Sequence, residues 1–359
     1  MREPRCVCST PPRPPTIKLG PMPVESQNEV PPHARRALQS THVVHGSRLS
    51  TWTYPTAGRC RGVILAVHGF RGDHHGLTRV IEALPGYTVI VPDLPGFGAS
   101  TPFSSVSRPD TQVEGGSEAT PRHDADGYGE VIGALREQLG LGPETILLGH
   151  SFGTIVAANY LARHPGSFAE LLLLNPICEP ALAGNQALMS RAAGAYYAAG
   201  ERLPAVLGEG LLRSRLITDA MTLAMLKSKD PAMRAYVFDQ HRRYFSGFTS
   251  RSTLREAYAS SITETVRDAA ARINEPTLLV VGEQDELGSV KAQRSLARRF
   301  PRASIRVIGD VGHLIHYEKA AEAAALIEGF LASDHPWVTR GMPRVQYRER
   351  GVPGSQDKQ

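Results

Sequence analysis

The sequence has few cysteines and no long apolar segment. Only four of its 359 residues are cysteine, and the spacing of Cys6, Cys8, Cys60 and Cys178 does not resemble a disulfide framework. Reduced thiols are therefore expected, as in a reducing compartment. No run of about 18 apolar residues occurs, and the N-terminus lacks the apolar stretch of a signal peptide. We therefore expect a cytoplasmic protein without a membrane span.

The central part of the chain also lacks an excess of charge of either sign. The net charge is +5, but residues 1–36 contribute +3 and residues 334–359 contribute +2, so residues 37–333 carry no net charge. A nucleic-acid-binding domain usually concentrates basic residues in its folded part. The sequence therefore argues against nucleic acid as a partner.

The two ends differ in composition from the rest. Residues 1–37 contain nine prolines, which cannot sustain the hydrogen bonds of helices or strands. Residues 334–359 are polar and show no periodicity. We interpret residues 1–37 as a disordered Pro-rich extension and residues 334–359 as a flexible tail, and Met22 is an alternative start to Met1.

Between these ends, short apolar runs alternate with helical patterns. The apolar runs predict strands at Thr41–Val44, Leu49–Tyr54, Val63–Val67, Thr88–Val91, Thr145–Leu148, Glu170–Leu174, Thr277–Val281 and Ser304–Ile308. Helical periodicity occurs at Leu77–Leu84, Gly127–Leu139, Phe152–Arg163, Val290–Phe300 and Glu318–Ala332. This alternation is typical of the α/β class, with a mostly parallel sheet and helices on both of its faces.

Two stretches interrupt the alternation. No convincing strand occurs across residues 176–272, and this stretch is too long for a plain loop. We therefore predict an inserted helical cap at 176–272, between core segments 38–175 and 273–333. A smaller insertion, residues 102–126, is rich in Ser, Pro, Gly and Thr, which predicts a mobile loop.

The most informative motif is Gly149-His150-Ser151-Phe152-Gly153, a G-x-S-x-G pentapeptide. It follows an apolar run directly and precedes a helical pattern. Between a strand and a helix this motif forms a nucleophile elbow, in which the glycines permit a sharp turn and the serine hydroxyl stands above the sheet. The sequence thus predicts a nucleophile at Ser151, and the alternative is a serine in an ordinary tight turn.

Four elements together resemble the α/β-hydrolase family, over about residues 40–333 of this chain. They are His68-Gly69-Phe70, Asp93-Leu94-Pro95-Gly96-Phe97-Gly98-Ala99-Ser100, the elbow, and the pair Gly282-Glu283-Gln284-Asp285 with Gly312-His313. Each follows a predicted strand, in the order that the family requires. The resemblance is to the serine-nucleophile branch with a helical cap, which is esterase-like or lipase-like, and it implies the α/β-hydrolase fold.

The resemblance also implies how these residues divide the chemistry. Ser151 would be the nucleophile, His313 the base that takes its proton, and Asp285 the carboxylate that orients the imidazole. The chain order Ser, Asp, His is that of this hydrolase family. The backbone N–H groups of Phe70 and Phe152 would form the oxyanion hole.

Alternatives remain for the acid and the base. The acid has the competitors Glu283, Glu286 and Asp310, and the base has the competitor His316. Asp285 is preferred because its position after a strand would face the catalytic edge. Some relatives carry the acid after the strand that ends near Leu174, but this chain has the uncharged Asn175 there. His313 is preferred because it directly follows a glycine.

The histidine pair at 74 and 75 also suggests a metal site. Adjacent histidines are expected to point in different directions, and no third ligand is evident in the sequence. We therefore predict neither a metal nor a cofactor, and we interpret this stretch as a polar loop.

The cap is expected to select the substrate. Its large apolar side chains could line a pocket together with Phe70 and Phe152, or could pack between helices; they are Met189, Tyr196, Tyr197, Met221, Met225, Met233, Tyr236, Phe238, Tyr244, Phe245 and Phe248. The arginines within Phe238–Phe245 could receive an anionic group or line a solvated helix face.

These observations predict a serine hydrolase that cleaves a carboxylic ester, thioester or lactone with an apolar portion through an acyl-enzyme. The partner is a small-molecule substrate, and the oligomeric state is left open. Carbon–carbon bond hydrolysis of the meta-cleavage type would use the same triad, and perhydrolase activity is permitted by the resemblance. A non-catalytic ligand receptor of the same fold is the alternative from another class.

Overall fold

The computed structural model describes residues 35–104, 120–180 and 187–333, with the side chains of residues 187–190 left out. The eight strands are β1 (Leu38–Val44), β2 (Ser47–Tyr54), β3 (Gly62–Val67), β4 (Tyr87–Pro92), β5 (Ile146–His150), β6 (Glu170–Leu174), β7 (Thr277–Gly282) and β8 (Ala303–Ile308). Every predicted strand is found, with bounds shifted by three residues at most. The predicted extension at 1–37 and tail at 334–359 lie almost wholly outside the described residues.

Eleven α-helices lie within the described part of the chain. They are α1 (Thr78–Glu82), α2 (Ala125–Gln138), α3 (Phe152–Arg163), α4 (Ala187–Arg202), α5 (Ala205–Leu212), α6 (Arg215–Met225), α7 (Pro231–Tyr244), α8 (Arg251–Thr263), α9 (Val290–Ala297), α10 (Ile315–Glu318) and α11 (Ala320–Leu331). Short 3-10 helices occur at His74–Leu77, Val266–Asp268 and Ala270–Arg272. None of the described helices is both long and apolar enough to cross a lipid bilayer.

All eight strands form one sheet in the order β1-β2-β4-β3-β5-β6-β7-β8. β1 and β2 are antiparallel, β2 is antiparallel to β4, and the remaining pairs are parallel. The carboxyl ends of β3 to β8 therefore meet at one edge of the sheet, where ligands bind in open α/β sheets. The predicted fold class, a mostly parallel sheet with helices on both faces, is confirmed.

The strand side chains alternate between two hydrophobic layers, since successive residues of a strand point to opposite faces. Leu147 and Leu173 pack on one face, in the layer that also contains α2 and α3. Leu148 and Leu172 pack on the other face, in the layer that contains α1 and α11. All four are at most 2% exposed, as expected for central strands that are covered on both sides.

Helices α4 to α8 lie between β6 and β7, and we refer to Ala187–Thr263 as the helical insertion. It falls within the predicted cap at 176–272, while the exact domain boundaries stay predictions. The smaller predicted loop at 102–126 is shorter than expected, because α2 already begins at Ala125 and its N-cap Asp124 accepts a hydrogen bond from Gly127 N. Residues 105–119 of that loop lie outside the described residues.

The helical insertion contacts the loops that follow β3 and β4. The Gly98 N–H donates to the Gly247 carbonyl at 2.8 Å, and the Thr249 N–H donates to the Gly96 carbonyl at 2.9 Å. Phe97 and Phe248 form an isolated antiparallel bridge between these hydrogen bonds. The insertion thus joins the carboxyl edge of the sheet by strand-like pairing.

Candidate active site

Ser151 occupies the turn between β5 and α3, with φ of 53° and ψ of −121°. Non-glycine residues rarely adopt this backbone region, and such strain is concentrated at functional sites. A Cβ at Gly149 would lie 2.5 Å from the Gly153 carbonyl oxygen, and a Cβ at Gly153 would overlap the Val67 carbonyl oxygen. Both flanking glycines are therefore required by the close approach of strand and helix.

The structure brings the three residues predicted for the triad into contact. His313 Nε2 lies 2.7 Å from Ser151 Oγ. His313 Nδ1 lies 3.0 Å from Asp285 Oδ1 and 3.2 Å from its Oδ2. Because a carboxylate only accepts hydrogen bonds, Nδ1 carries the proton, and Nε2 presents its lone pair to the serine hydroxyl. The arrangement can withdraw a proton from Ser151.

The side chain of Asp285 also raises the pKa of His313. Burial alone would lower this pKa, but the charge of Asp285 and its hydrogen bond outweigh that effect. The three side chains belong to residues that are less than a tenth exposed, namely Ser151 at 9%, Asp285 at 7% and His313 at 5%. A partly desolvated site of this kind strengthens the electrostatic coupling between its members.

Two of the competing acids and the competing base make other contacts or shape the backbone. Glu286 forms an ion pair with Lys227 of the helical insertion. Asp310 has a left-handed φ of 56°, which suits a residue that shapes the turn before His313. The ring of His316 packs against that of His150 with centroids 3.9 Å apart and a tilt of 48°. Burial lowers the pKa of both rings well below the usual value. Both imidazoles are therefore neutral packing groups near neutral pH.

Asn175 is a positioning residue whose role the sequence analysis did not identify. It is fully buried at the end of β6, and its Nδ2 donates to the Gly312 and His313 carbonyls at 3.0 Å each. Its Oδ1 accepts from the Gly282 N–H at 2.7 Å. The amide thus joins the loop that carries His313 to the strand end that precedes Asp285. The sequence offered one signal for this role, namely that Asn175 is neutral at a position where some relatives carry an acid.

The two predicted oxyanion amides lie on either side of Ser151. Phe152 is the first residue of α3, where N–H groups have no partner within the helix. Gly69 approaches so closely that an added Cβ would lie 3.1 Å from Ser151 Cβ, which places Phe70 beside the serine. Within the described residues neither N–H group has a hydrogen-bond acceptor. Both N–H groups therefore belong to residues next to Ser151, one in the chain and one through the close approach of Gly69.

His68 supports this loop through its two ring nitrogens. Its Nε2 accepts from the Leu94 N–H at 2.9 Å, and its Nδ1 lies 2.8 Å from the Gly69 carbonyl. Burial lowers the pKa of His68, although the nearby Gly69 carbonyl opposes this shift. The neutral ring thus joins the loops that follow β3 and β4.

Arg71, the residue after Phe70, extends into the helical insertion. It is 2% exposed and has a left-handed φ of 60°. Its Nε donates to the Phe245 carbonyl at 3.0 Å and its NH2 group to the Leu212 carbonyl at 2.8 Å. The guanidinium also lies 4.9 Å from the Phe245 ring centroid. Arg71 therefore connects the oxyanion loop to the ends of α5 and α7.

The apolar side chains predicted for the cap lie in several places, and that of Met189 lies outside the described side chains. Tyr197 contacts Phe70 with centroids 5.6 Å apart and Tyr258 with centroids 4.2 Å apart, beside the oxyanion loop. A second group packs around Leu314 and Tyr317 instead; it contains Met225, Met233, Tyr236 and Phe238. Only part of the predicted set therefore lies next to the serine.

The arginines at the end of α7 already have acidic partners. Arg242 donates to both oxygens of Asp219, at 2.8 and 2.7 Å. Arg243 donates to Asp239 at 2.8 Å, and both arginine side chains are about half exposed. The solvated-face interpretation of this segment is therefore favoured over an anion-binding one.

A separate concavity lies beside the loop after Arg71. It measures about 270 Å³, and its lining includes Asp73, His74 and His75 but no triad residue. The expectation that the adjacent histidines diverge is wrong, because their ring centroids lie 3.8 Å apart. The 3-10 turn at 74–77 bends the backbone there, so an extended-chain argument did not apply. Asp73 is the third potential ligand that the sequence analysis did not recognise.

Comparisons with known proteins agree with this geometry. The family model of the alpha/beta hydrolase fold matches residues 62–320. Lipase 3 of Moraxella sp. (strain TA144) is 24% identical over 276 residues, covering 73% of this chain and 74% of the lipase. Lipase 1 of Psychrobacter immobilis is 23% identical over 282 residues, covering 74% and 76%.

Among solved structures, an esterase from Thermogutta terrifontis superposes with a TM-score of 0.62 at 21% identity, covering 82% of this chain and 98% of the esterase. The residues matched by the family model contain strands β3 to β8, the elbow and the loops that bear Asp285 and His313. This chain belongs to the alpha/beta hydrolase fold family.

Proposed function

We propose that this protein is a serine hydrolase that cleaves a carboxylic ester with an apolar portion through an acyl-enzyme. The observation that carries the proposal is the continuous contact from Ser151 Oγ through His313 to Asp285. The names of the two bacterial relatives, both lipases, support an ester as the substrate. Thioesters and lactones share the acyl carbon that such a site attacks.

In the proposed acylation step, His313 Nε2 removes the proton as Ser151 Oγ attacks the carbonyl carbon. The tetrahedral oxyanion receives hydrogen bonds from the N–H groups of Phe70 and Phe152. His313 then donates its proton to the leaving alcohol, and Asp285 stabilises the imidazolium during this interval. The product of the step is an ester of Ser151.

Deacylation repeats the sequence with water as the nucleophile. His313 takes a proton from the water, and the oxyanion again faces the same two amides. Collapse of the second tetrahedral species releases the carboxylic acid and returns the proton to Ser151. The aromatic side chains of Phe70, Tyr197 and Tyr258 supply an apolar surface for one part of the substrate.

The test is hydrolysis of a p-nitrophenyl ester series from acetyl to palmitoyl, with Ser151→Ala beside the wild type. Loss of the nucleophile is expected to lower kcat by roughly 10⁴- to 10⁶-fold. Ser252→Ala is the matched control, since Ser252 is an exposed serine of α8. A fluorophosphonate probe should add its mass to the wild type and to the control, and not to Ser151→Ala.

The proposal fails if the wild type hydrolyses no member of the series faster than Ser151→Ala does. Turnover of vinylogous diketo acids by a wild type inactive on esters would instead indicate carbon–carbon bond hydrolysis. Ligand binding without any Ser151-dependent turnover would indicate a receptor.

A further inference from the structure

Three consecutive side chains outside the triad converge on one concavity. Asp73, His74 and His75 each offer one donor atom, and these three atoms lie within 4.8 Å of one another. All three residues line the cavity of about 270 Å³ that none of the triad residues lines. Asp73 and His74 are buried, at 5% and 4% exposure, and His75 is partly exposed toward solvent.

The orientation of His74 is set by a buried carboxylate. His74 Nδ1 lies 2.9 Å from Asp93 Oδ1, and because that oxygen only accepts, Nδ1 carries the proton. Nε2 therefore holds a lone pair, and it has no partner within the described residues. A histidine that donates one ring N–H to a carboxylate and keeps the other nitrogen free is the usual arrangement of a metal ligand.

Asp93 is well suited to hold the ring in this state. Its Oδ1 also accepts from the His74 N–H at 2.9 Å, while its Oδ2 accepts from Trp52 Nε1 and the Ala99 N–H at 3.0 Å each. Four donors thus surround this buried carboxylate and fix its orientation toward His74.

Asp73 and His75 bring one oxygen and one ring nitrogen together beside His74. Asp73 Oδ1 accepts from His75 N at 2.9 Å and lies 3.1 Å from His75 Nδ1. An oxygen and a nitrogen at this separation can both bind one ion, which would then replace the proton between them. Tyr244 stacks on the His75 ring with centroids 3.7 Å apart, and Trp52 stacks on the His74 ring at 3.9 Å. Both rings are thereby restrained.

We propose that Asp73, His74 and His75 bind a divalent transition-metal ion, with Zn²⁺ as the best match. Two imidazole nitrogens and one carboxylate oxygen form a donor set that zinc accepts in proteins, and water would complete the coordination. Asp93 is the positioning residue of the site, since it holds His74 rather than facing the ion. The ion would contact no atom of Ser151, His313 or Asp285, so its binding does not depend on the triad.

Such a site would have a mechanical role in the fold. The loop 71–77 carries Arg71 at its start and contacts the helical insertion through Tyr244. An ion bound only by the folded chain stabilises that chain by mass action. Zn²⁺ would therefore stabilise the junction between the oxyanion loop and the insertion.

The experiment is equilibrium dialysis of the full chain against Zn²⁺, with metal content measured by mass spectrometry. All proteins carry Cys6→Ser and Cys8→Ser, because these two thiols near the N-terminus could bind zinc independently. The expected stoichiometry is one ion per chain. Replacement of Zn²⁺ by Co²⁺ should add visible absorption bands that report nitrogen and oxygen ligation, and Zn²⁺ should raise the Tm.

Three variants test the ligands and the positioning residue. His75→Ala should weaken binding by at least roughly 10-fold, and the double variant His74→Ala/His75→Ala should abolish it. Asp93→Asn should weaken binding by roughly 10- to 100-fold without removing a ligand. His164→Ala is the matched control, since His164 is an exposed histidine at the end of α3.

Two results would overturn the proposal. One is the absence of Zn²⁺ binding by the protein that carries only Cys6→Ser and Cys8→Ser, at Zn²⁺ concentrations up to about 1 mM. The other is binding that survives in the double histidine variant as it does in His164→Ala. Because His75 is partly exposed, His75→Ala should fold even if Asp93→Asn does not, and a circular dichroism spectrum checks this. Ester hydrolysis is measured separately, so the two proposals can fail independently.

Discussion

The sheet core and the helical insertion differ in how completely their apolar side chains are buried. The central strands are buried on both faces, and every residue of β5 and β7 is buried. The insertion, by contrast, exposes Val206 at 85% and Leu216 at 82%. It is joined to the core through backbone pairing at Gly98 and through the buried guanidinium of Arg71. Apolar side chains of the insertion, such as Leu212 and Leu254, also pack in the core cluster, and the polar contacts supplement this packing.

The two regions also differ in charge. The helical insertion carries eleven Lys and Arg against six Asp and Glu, while the rest of residues 37–333 carries eighteen against twenty-three. The neutral sum over residues 37–333 therefore hides a basic insertion on an acidic core. This difference teaches that Ser151, Asp285 and His313 belong to an acidic core, while the insertion that contacts the same edge of the sheet is basic.

The largest effect is expected where the core orients the base. Asp285→Asn should lower kcat for ester hydrolysis by roughly 10⁴-fold, because an amide favours the wrong tautomer of His313. Steady-state kinetics and a circular dichroism spectrum measure activity and fold together. Asp310→Asn is the matched control, because Asp310 lies near His313 in the chain and asparagine tolerates its positive φ. Equal losses in both variants would contradict the assignment of Asp285.

Packing in the core should account for the largest effect on stability. Leu173 is fully buried in β6, so Leu173→Ala should lower the free energy of unfolding by about 2–5 kcal/mol. Urea denaturation followed by circular dichroism measures the change. A loss below about 1 kcal/mol would show that the core relaxes around the cavity, and would weaken the contrast with the insertion.

Arg71 tests the junction between the two regions. Arg71→Met keeps the length of the side chain but leaves the Leu212 and Phe245 carbonyls without their donor, which should cost about 1–3 kcal/mol. The Tm and the ester hydrolysis rate should both fall, since Arg71 follows Phe70 directly. Arg242→Met, which removes an exposed ion pair, should have a smaller effect. An unchanged rate in Arg71→Met would show that the insertion is positioned by other contacts.

Acid should destabilise both regions through buried histidines. Burial lowers the pKa of His241 in the insertion to about 4, and it lowers those of His150 and His316 at the core edge. Between these lowered pKa values and about pH 6.5, the usual pKa of histidine, the unfolded chain binds more protons than the folded chain. Stability is therefore lost as pH falls through this window. Each group contributes up to about 1.4 kcal/mol per pH unit.

The measurement is the free energy of urea unfolding at a series of pH values. The raised pKa of His313 acts in the opposite direction, because a protonated His313 is favoured in the folded state. A stability that does not decrease below about pH 6.5 would mean that the buried rings gain compensating partners. His241→Gln removes the titrating ring of the insertion, so the free energy of unfolding should depend less steeply on pH in this variant.

The smallest effect is expected on the exposed face of the insertion. Leu216 is 82% exposed in α6, so Leu216→Ala should change the free energy of unfolding by less than about 0.5 kcal/mol. The same urea experiment that measures Leu173→Ala applies. A loss comparable to that of Leu173→Ala would mean that Leu216 is covered in solution.

Much of the core could be predicted from the sequence, because burial on both faces leaves a plain apolar signal. The strand Glu170–Leu174 and the helix Phe152–Arg163 occur with the predicted bounds. The G-x-S-x-G motif sufficed to locate Ser151, since only glycine permits the close approaches at 149 and 153. Less regular parts, such as the start of α2 inside a predicted loop, could not be placed by composition.

The sequence by itself thus determined the fold class, the elbow and the candidates for the triad, since these depend on local patterns and chain order. Only the tertiary structure decided which carboxylate contacts His313, because Asp285 and its competitors lie within a few residues of the same loops. It alone revealed the amide of Asn175 between two loops, and Arg71 inside the insertion. The cluster of Asp73 with two stacked histidines likewise depends on Asp93, twenty residues away in sequence. Such contacts join segments that are far apart in the chain, so no local sequence pattern indicates them.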